Sequence, residues 1–328
     1  MERKLATVRT ITYLSPIEGA DKIELAHIDG WQVVVQKGQY EEGDRCIYVE
    51  IDSLLPDKPV FEFMRDRKFR VRTIRLRGQL SQGIAFPMSI LGSDSACEGE
   101  DVTDVLGITK YEKPIPACLA GQVKGNFPWF LVKTDEERLQ NMVRVIDDCQ
   151  GLRFVVTEKL DGTSMTCYIK DGEFGVCSRN MELKETEGNL YWMAAREGNI
   201  EQKLRLLGKN IAIQGELIGQ GIQGNKYNFT VNKRKLFVFN LYDIDTGLYY
   251  TWEKMLLAIG EDFDIVPLID NNFSMFDQTL ESLLDYTNAD SRLNLDTMRE
   301  GIVFRADNYN GRVSFKVISN EFLLKYKE

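Results

Sequence analysis

From residue 1 to about residue 105, apolar and polar residues alternate in short runs broken by turns, a pattern that leaves few folds open. TVRTITYL, KIELAHI, WQVVVQ, RCIYVEI, KFRVRTIRLRG and GIAFP each read as a strand, with turns at EEGD and SDSACEGED. Short strands at such close spacing predict a small all-β barrel. The stretch LGITKYEKPIPACLAGQVKGNFP then interrupts the alternation with Pro and Gly. We therefore expect a first domain over residues 1–105, a linker over 106–132 and a second domain over 133–328. The chain is long enough for each domain to bury its own core.

The second half mixes periodicities. Thr134 followed by Glu137 reads as a capping box opening a helix from about Asp135 to Asp148, with Leu139, Met142, Val143 and Ile146 on one face. The apolar strand LRFVVTEK comes next, then a hairpin of SMTCYIK and EFGVCS turning at Asp171 and Gly172. A helix from roughly Gly188 to Leu207 is expected to stop at Gly208. Further strands are expected at NIAIQGELI, KLFVFNLYDI, GIVFRA and RVSFKVIS, with helices near Trp252 to Ile259 and Thr279 to Asn288. Strands that succeed one another through short turns predict an α+β domain of mainly antiparallel sheets.

Several chemistries are excluded by what the chain lacks. Its only histidine, His27, lies in the alternating run IELAHIDGWQVVV and reads as a half-buried strand residue. Two-histidine nucleases are thereby excluded, and a Ser-His-Asp triad would have to use that one residue. The cysteines (Cys46, Cys97, Cys118, Cys149, Cys167 and Cys177) contain no C-x-x-C pair and read as free core thiols. A net charge of −9 argues against indiscriminate wrapping of nucleic acid, so any basic patch must be local. The first residues lack a signal-peptide core and no run is long enough to span a membrane, which predicts a cytoplasmic or organellar protein.

The tract TEKLDGTS places Lys159, Asp161 and Gly162 between a strand and a hairpin. K-x-D-G alone arises by chance in on the order of one such chain in fifteen. Its weight comes from the ordered motifs downstream of it: SRN at 178–180, GELIG at 215–219, FNLYDI at 239–244, EGIVFR at 300–305 and SFKVIS at 314–319. Gly219, Gly221 and Gly224 also spell G-x-G-x-x-G after a strand, but NKYNFTVNKRK lacks the periodicity of the helix a dinucleotide fingerprint requires. That segment reads as a loop. No P-loop sequence is present.

This ordered series resembles the motifs of the covalent nucleotidyltransferases, the superfamily of polynucleotide ligases and capping enzymes. The resemblance implies an adenylyltransferase domain in which Lys159 attacks ATP and carries AMP. It implies that Asp161, Glu216 and Glu300 serve a Mg2+ or Mn2+ ion, directly or through its waters, with Glu216 and Glu300 also catalytic. Lys316 would hold the α-phosphate, Phe239 would stack on adenine, Glu158 would lie beside the base, and Gly162, Arg179 and Asn180 would contact the nucleotide. Such a site answers a physical need, because bringing a lysine amine from its usual pKa of about 10.4 to its free base at neutral pH costs roughly 4 kcal/mol. A metal ion and a second cation both disfavour the ammonium form. One departure stands out: the family often has K-x-K in its last motif, where this chain has Ser314-Phe315-Lys316.

KTDEERLQN, residues 133–141, resembles a segment upstream of the nucleophile in RNA ligases that mend nicks in duplex RNA. The resemblance makes Arg138, Gln140 and Asn141 expected RNA contacts. The first domain carries the densest positive charge, at Arg65, Arg67, Lys68, Arg70, Arg72, Arg75 and Arg77. In KFRVR these alternate with apolar residues, so a strand would project them from one face as a salt-sensitive docking surface. RLRGQLSQGIAFP resembles OB-fold tRNA-binding modules. The expectation is an ATP-dependent, monomeric RNA ligase with an N-terminal OB-type barrel, joining a 3′-hydroxyl to a 5′-phosphate in nicked duplex RNA. A DNA or hybrid nick ligase and a non-catalytic OB-domain RNA-binding protein are its rivals.

Overall fold

Burial follows the alternation in the early strands. Along Trp31–Gln36 the residues Trp31, Val33 and Val35 are buried while the intervening side chains are partly or fully exposed. The computed structural model describes residues 4–92, 96–111, 121–208, 210–230, 233–308 and 311–326. They fall into two compact units: Met1–Lys113 with Glu137–Asp148 and Asn320–Glu328, and Pro114–Glu136 with Cys149–Ser319. This division differs from the expected 1–105, 106–132 and 133–328, because the segment carrying Arg138 and the C-terminal helix Asn320–Tyr326 group with the β-rich first unit.

In the first unit, Ala6–Thr10, Arg45–Val49 and Ile84–Pro87 form one antiparallel sheet, and Tyr13–Pro16, Ile23–Ile28 and Trp31–Gln36 form a second. Val8, Ile28, Trp31, Ile47, Tyr48 and Phe61 fill the interior. His27 is the half-buried strand residue expected, stacked on Tyr13 with ring centroids 3.8 Å apart. The expected strand KFRVRTIRLRG is confined to Thr73–Leu76. Upstream lies a 3-10 helix, Pro59–Arg67, and Lys68 and Phe69 take left-handed backbone angles that end it.

The second unit has two antiparallel sheets. The larger contains Thr163–Lys170, Glu173–Cys177, Ile211–Gly219 and Arg234–Asp243; the smaller orders Leu268–Ser274, Arg153–Lys159, Gly301–Asn308 and Gly311–Ile318. Asp171 and Gly172 both have positive φ, the geometry a tight hairpin demands. Trp252–Ile259 forms as expected, and Thr279 caps Leu280–Thr287 through a capping box with Ser282. The single helix expected over 188–207 is two, Leu190–Glu197 and Ile200–Leu206, because Asn199 takes a left-handed conformation after Gly198. The helix expected over 135–148 is also absent: only a 3-10 turn at Leu139–Asn141 and one helical turn at Val145–Asp148 form. Thr134 there shares a hydrogen bond with Ser164 at 2.7 Å instead of capping a helix.

Cys46, Cys149, Cys167 and Cys177 are buried and form no disulfide among the described residues, as expected of core thiols, whereas Cys97 is exposed. Cys118 lies outside the described residues. Among the described residues no helix is long and apolar enough to cross a membrane.

Candidate active site

Arg153–Lys159 is an inner strand, hydrogen-bonded on both edges, and its Phe154 and Val156 are fully buried. It delivers Lys159 at its last position, opposite Gly301. Antiparallel register puts Lys159, Thr157, Val303, Lys316, Arg305 and Ser314 on one face of the smaller sheet, with Lys316 opposite Val303 and Ser314 opposite Arg305. The next turn presses onto the larger sheet: a Cβ on Gly162 would lie 2.4 Å from the Leu217 carbonyl oxygen, so only glycine fits. The Gly162 N–H donates to Glu216 Oε1 at 3.0 Å, tying the turn to the GELIG strand.

The carboxylates meet lysines. Lys159 Nζ lies 2.6 Å from Glu300 Oε2, and Lys226 Nζ pairs with Asp161 Oδ2. Burial pushes the Glu216 carboxyl up to about 7; Glu300 and Asp161 add to the rise, and Lys159 opposes it. Among the described residues no three His, Cys, Asp or Glu side chains are grouped as a ready metal cage. The acids are nonetheless coupled, and their mutual repulsion is what a divalent cation would relieve.

Phe239 sits at a β-bulge. Gln214 pairs with Asn240 and Gly215 with Val238, so Phe239 is the residue left unpaired, and a bulge of this kind re-aims a side chain. One face of its ring carries the Arg305 guanidinium, 5.4 Å from the centroid. Glu158 is buried: its Oε2 accepts the Arg292 N–H at 2.9 Å, while Oε1 has no partner among the described residues. Burial raises its pKa, with hydrogen bonds from Ser291 and Arg292 opposing. Arg179 is exposed and paired with Asp135, and Asn180 accepts the Phe127 N–H through its carbonyl.

At the Ser314 departure, the serine hydroxyl donates to Glu136, which also lies 3.4 Å from the Arg305 guanidinium. The cation on this patch is therefore on the neighbouring strand. Glu136 and Lys226 were missed by sequence reasoning; each lies in irregular backbone, and only the fold brings it to the site.

The residues expected to touch RNA separate into two groups. Arg138 and Gln140 are buried inside the first unit. Arg138 pairs with Asp52 at 3.3 Å, and Asn141 links Trp31 Nε1 at 2.7 Å to Glu50 at 2.8 Å. These side chains brace the unit, Arg138 and Gln140 from its interior and Asn141 from a half-buried position. In the basic cluster, Arg70 stacks on Tyr111 beside Asp52, Arg65 pairs with Asp57 and Glu62, and Arg75 pairs with Glu321. Arg67, Lys68, Arg72 and Arg77 are exposed, with no ion-pair partner among the described residues.

Two families match the chain. An OB-fold domain matches residues 5–88 and RNA ligase matches residues 152–318. No curated protein matches. A mutant of Naegleria gruberi RNA ligase with ATP and Mn is similar at 42% identity and a TM-score of 0.90, over 99% of each chain. A second mutant of that ligase, with AMP and Mn, matches at 42% identity and 0.89 over 99% of each chain. The same ligase with PPi gives 42% and 0.89, again over 99% of each.

Proposed function

The chain belongs to the RNA ligase family, and from that premise we propose that it seals a 3′-hydroxyl to a 5′-phosphate at nicks in duplex RNA, carrying AMP on Lys159. It is an ATP-dependent enzyme with an OB-fold domain before an α+β catalytic domain, and it uses a divalent metal. The observation that carries the reading is the placement of Lys159 against Glu300, on the same sheet face as Lys316 and beside the Asp161 turn.

Lys159 Nζ attacks the α-phosphorus of ATP; a P–N bond forms, the bond to the bridging oxygen breaks, and pyrophosphate leaves. The proton shed by Lys159 has Glu300 Oε2 as a hydrogen-bonded acceptor. By the family resemblance Asp161, Glu216 and Glu300 would serve a hard cation directly or through its waters, and that ion would supply charge neutralisation at the phosphates and disfavour the ammonium form of the nucleophile. Lys316 contributes a fixed positive charge to the transferring phosphoryl group. The Phe239 ring takes the adenine, and the orphaned Glu158 Oε1 suits the exocyclic amino group. Arg179 and Asn180 contact the nucleotide sugar and phosphates. AMP then passes to the RNA 5′-phosphate, and the 3′-hydroxyl displaces it.

The OB-fold domain holds the duplex through its exposed cations, the enzyme acting as a monomer. A panel of singly nicked duplexes tests the substrate: ligation that needs ribose on the 3′-hydroxyl side supports the reading, because only RNA offers the 2′-hydroxyl. Equal sealing of all-DNA nicks would sink the RNA assignment and favour the DNA ligase rival.

A further inference from the structure

The loop after the GELIG strand, which sequence reasoning sets aside as a mere exit, grips the Lys159–Gly162 tract at three points. Tyr227 Oη accepts the Asp161 N–H at 2.7 Å, Gln223 Nε2 donates to the Gly162 carbonyl at 3.2 Å, and Lys226 Nζ pairs with Asp161 Oδ2. The loop is itself held in shape. Gln223, Gly224, Asn225 and Asn228 all have positive φ, Asn225 exchanges hydrogen bonds with the Phe229 backbone at 2.8 and 3.1 Å, and Asn294 Nδ2 donates to the Lys226 carbonyl at 2.9 Å. The Asp161 and Lys226 side chains are 4% and 18% exposed, so water screens the pair little.

We propose that Lys226 is a positioning residue for adenylylation, a placeholder cation that neutralises Asp161 until the divalent metal takes over that carboxylate. The reading rests on the proposed role of Asp161 toward the metal. Charge accounting supports it. Without metal, the carboxylates of Asp161 and Glu300 are each matched by one ammonium group, on Lys226 and Lys159. A dication can assume both positive charges at once. Asp161 then exchanges an ammonium for the ion or its waters without ever standing bare. An uncompensated carboxylate in so sheltered a place would be costly. The loop's own hydrogen bonds hold Lys226 within reach to re-form the pair when the metal departs.

The test uses full-length protein freed of AMP with pyrophosphate and titrated with Mn2+ in the absence of nucleotide, with binding read from loss of the free-ion EPR signal. Lys226→Gln and Lys226→Met are expected to bind Mn2+ about threefold to tenfold more tightly than wild type, since Asp161 need not be freed first. Lys226→Arg, which keeps the pair, is expected to bind as wild type. Melting of each variant without metal establishes that it is folded; if Lys226→Gln is not, Lys226→Met, of similar length, serves alone. Unchanged or weaker Mn2+ binding in the Gln and Met variants, with Asp161→Asn weakened, would overturn the placeholder role and leave the metal reading standing. Undiminished binding in Asp161→Asn would overturn that reading and the proposal with it.

Discussion

The guanidinium of Arg305 stands 5.4 Å from the centre of the Phe239 ring while its Nη1 donates to Thr157 Oγ1 at 3.1 Å, so a buried cation joins the two sheets of the catalytic domain. The planar group is fixed by Glu136 as well. Arg305→Lys keeps the charge but loses the stacked, forked geometry. We expect the KM for ATP in adenylylation to rise about tenfold, in line with loss of a desolvated cation–π contact and a hydrogen bond. Arg305→Ala, which strands Glu136, is expected to lower stability by about 3 kcal/mol in urea denaturation.

Glu216 makes the metal-free enzyme sensitive to pH. Its pKa rises on folding from 4.5 to about 7, so the folded state holds a proton that the unfolded chain releases. The stabilisation is complete below pH 4.5 and is lost as pH rises through about 7, a change of roughly 3 kcal/mol at most. Glu216→Gln should remove this component, so the fall in Tm between pH 5 and pH 8 becomes shallower than in wild type. Saturating Mn2+ should flatten the wild-type profile too, by favouring the ionised carboxylate. Parallel profiles for wild type and Glu216→Gln without metal would contradict the assignment.

Asn141 braces the first unit. Asn141→Leu leaves the Trp31 indole N–H and the Glu50 carboxylate without that partner, and we expect a loss of about 1–2 kcal/mol in urea denaturation. An unchanged midpoint would show the link to be idle.

Much of the catalytic core is legible in sequence because its residues sit in strands, where register is regular. Lys159, Lys316 and Arg305 share a face for the same reason that FVVTEK, GIVFRA and RVSFKVIS read as strands: apolar residues alternate with the ones that matter. The exceptions are tertiary. Thr134 and Glu137 carry a capping-box signal, but Thr134 bonds to Ser164 and the Glu137 carboxylate accepts from Asn141, so the local preference for helix loses to contacts made by folding. Lys226 lies 65 residues from Asp161 in a loop of left-handed backbone, where no periodicity marks it. In KFRVR the alternation of charge is real, yet Lys68 and Phe69 turn the chain, and Arg70 points at Tyr111.

The exposed cations of the OB-fold domain should dominate electrostatic docking. Arg72→Glu with Arg77→Glu is expected to weaken binding to nicked duplex RNA and to reduce the slope of log affinity against log salt by about 2. Arg65→Ala, already paired with Asp57 and Glu62, should change the slope less. Fluorescence anisotropy between 50 and 200 mM salt, a range over which about four phosphate contacts weaken binding by about 10², separates the two.

The most direct test is covalent labelling. Incubated with ATP radiolabelled at the α-phosphate and with Mn2+, the wild-type protein should acquire an acid-labile adduct that maps to the peptide containing Lys159 and is discharged by pyrophosphate, and Lys159→Ala should acquire none. Labelling of Lys159→Ala at the wild-type yield, or an adduct mapping to another residue, would contradict the account.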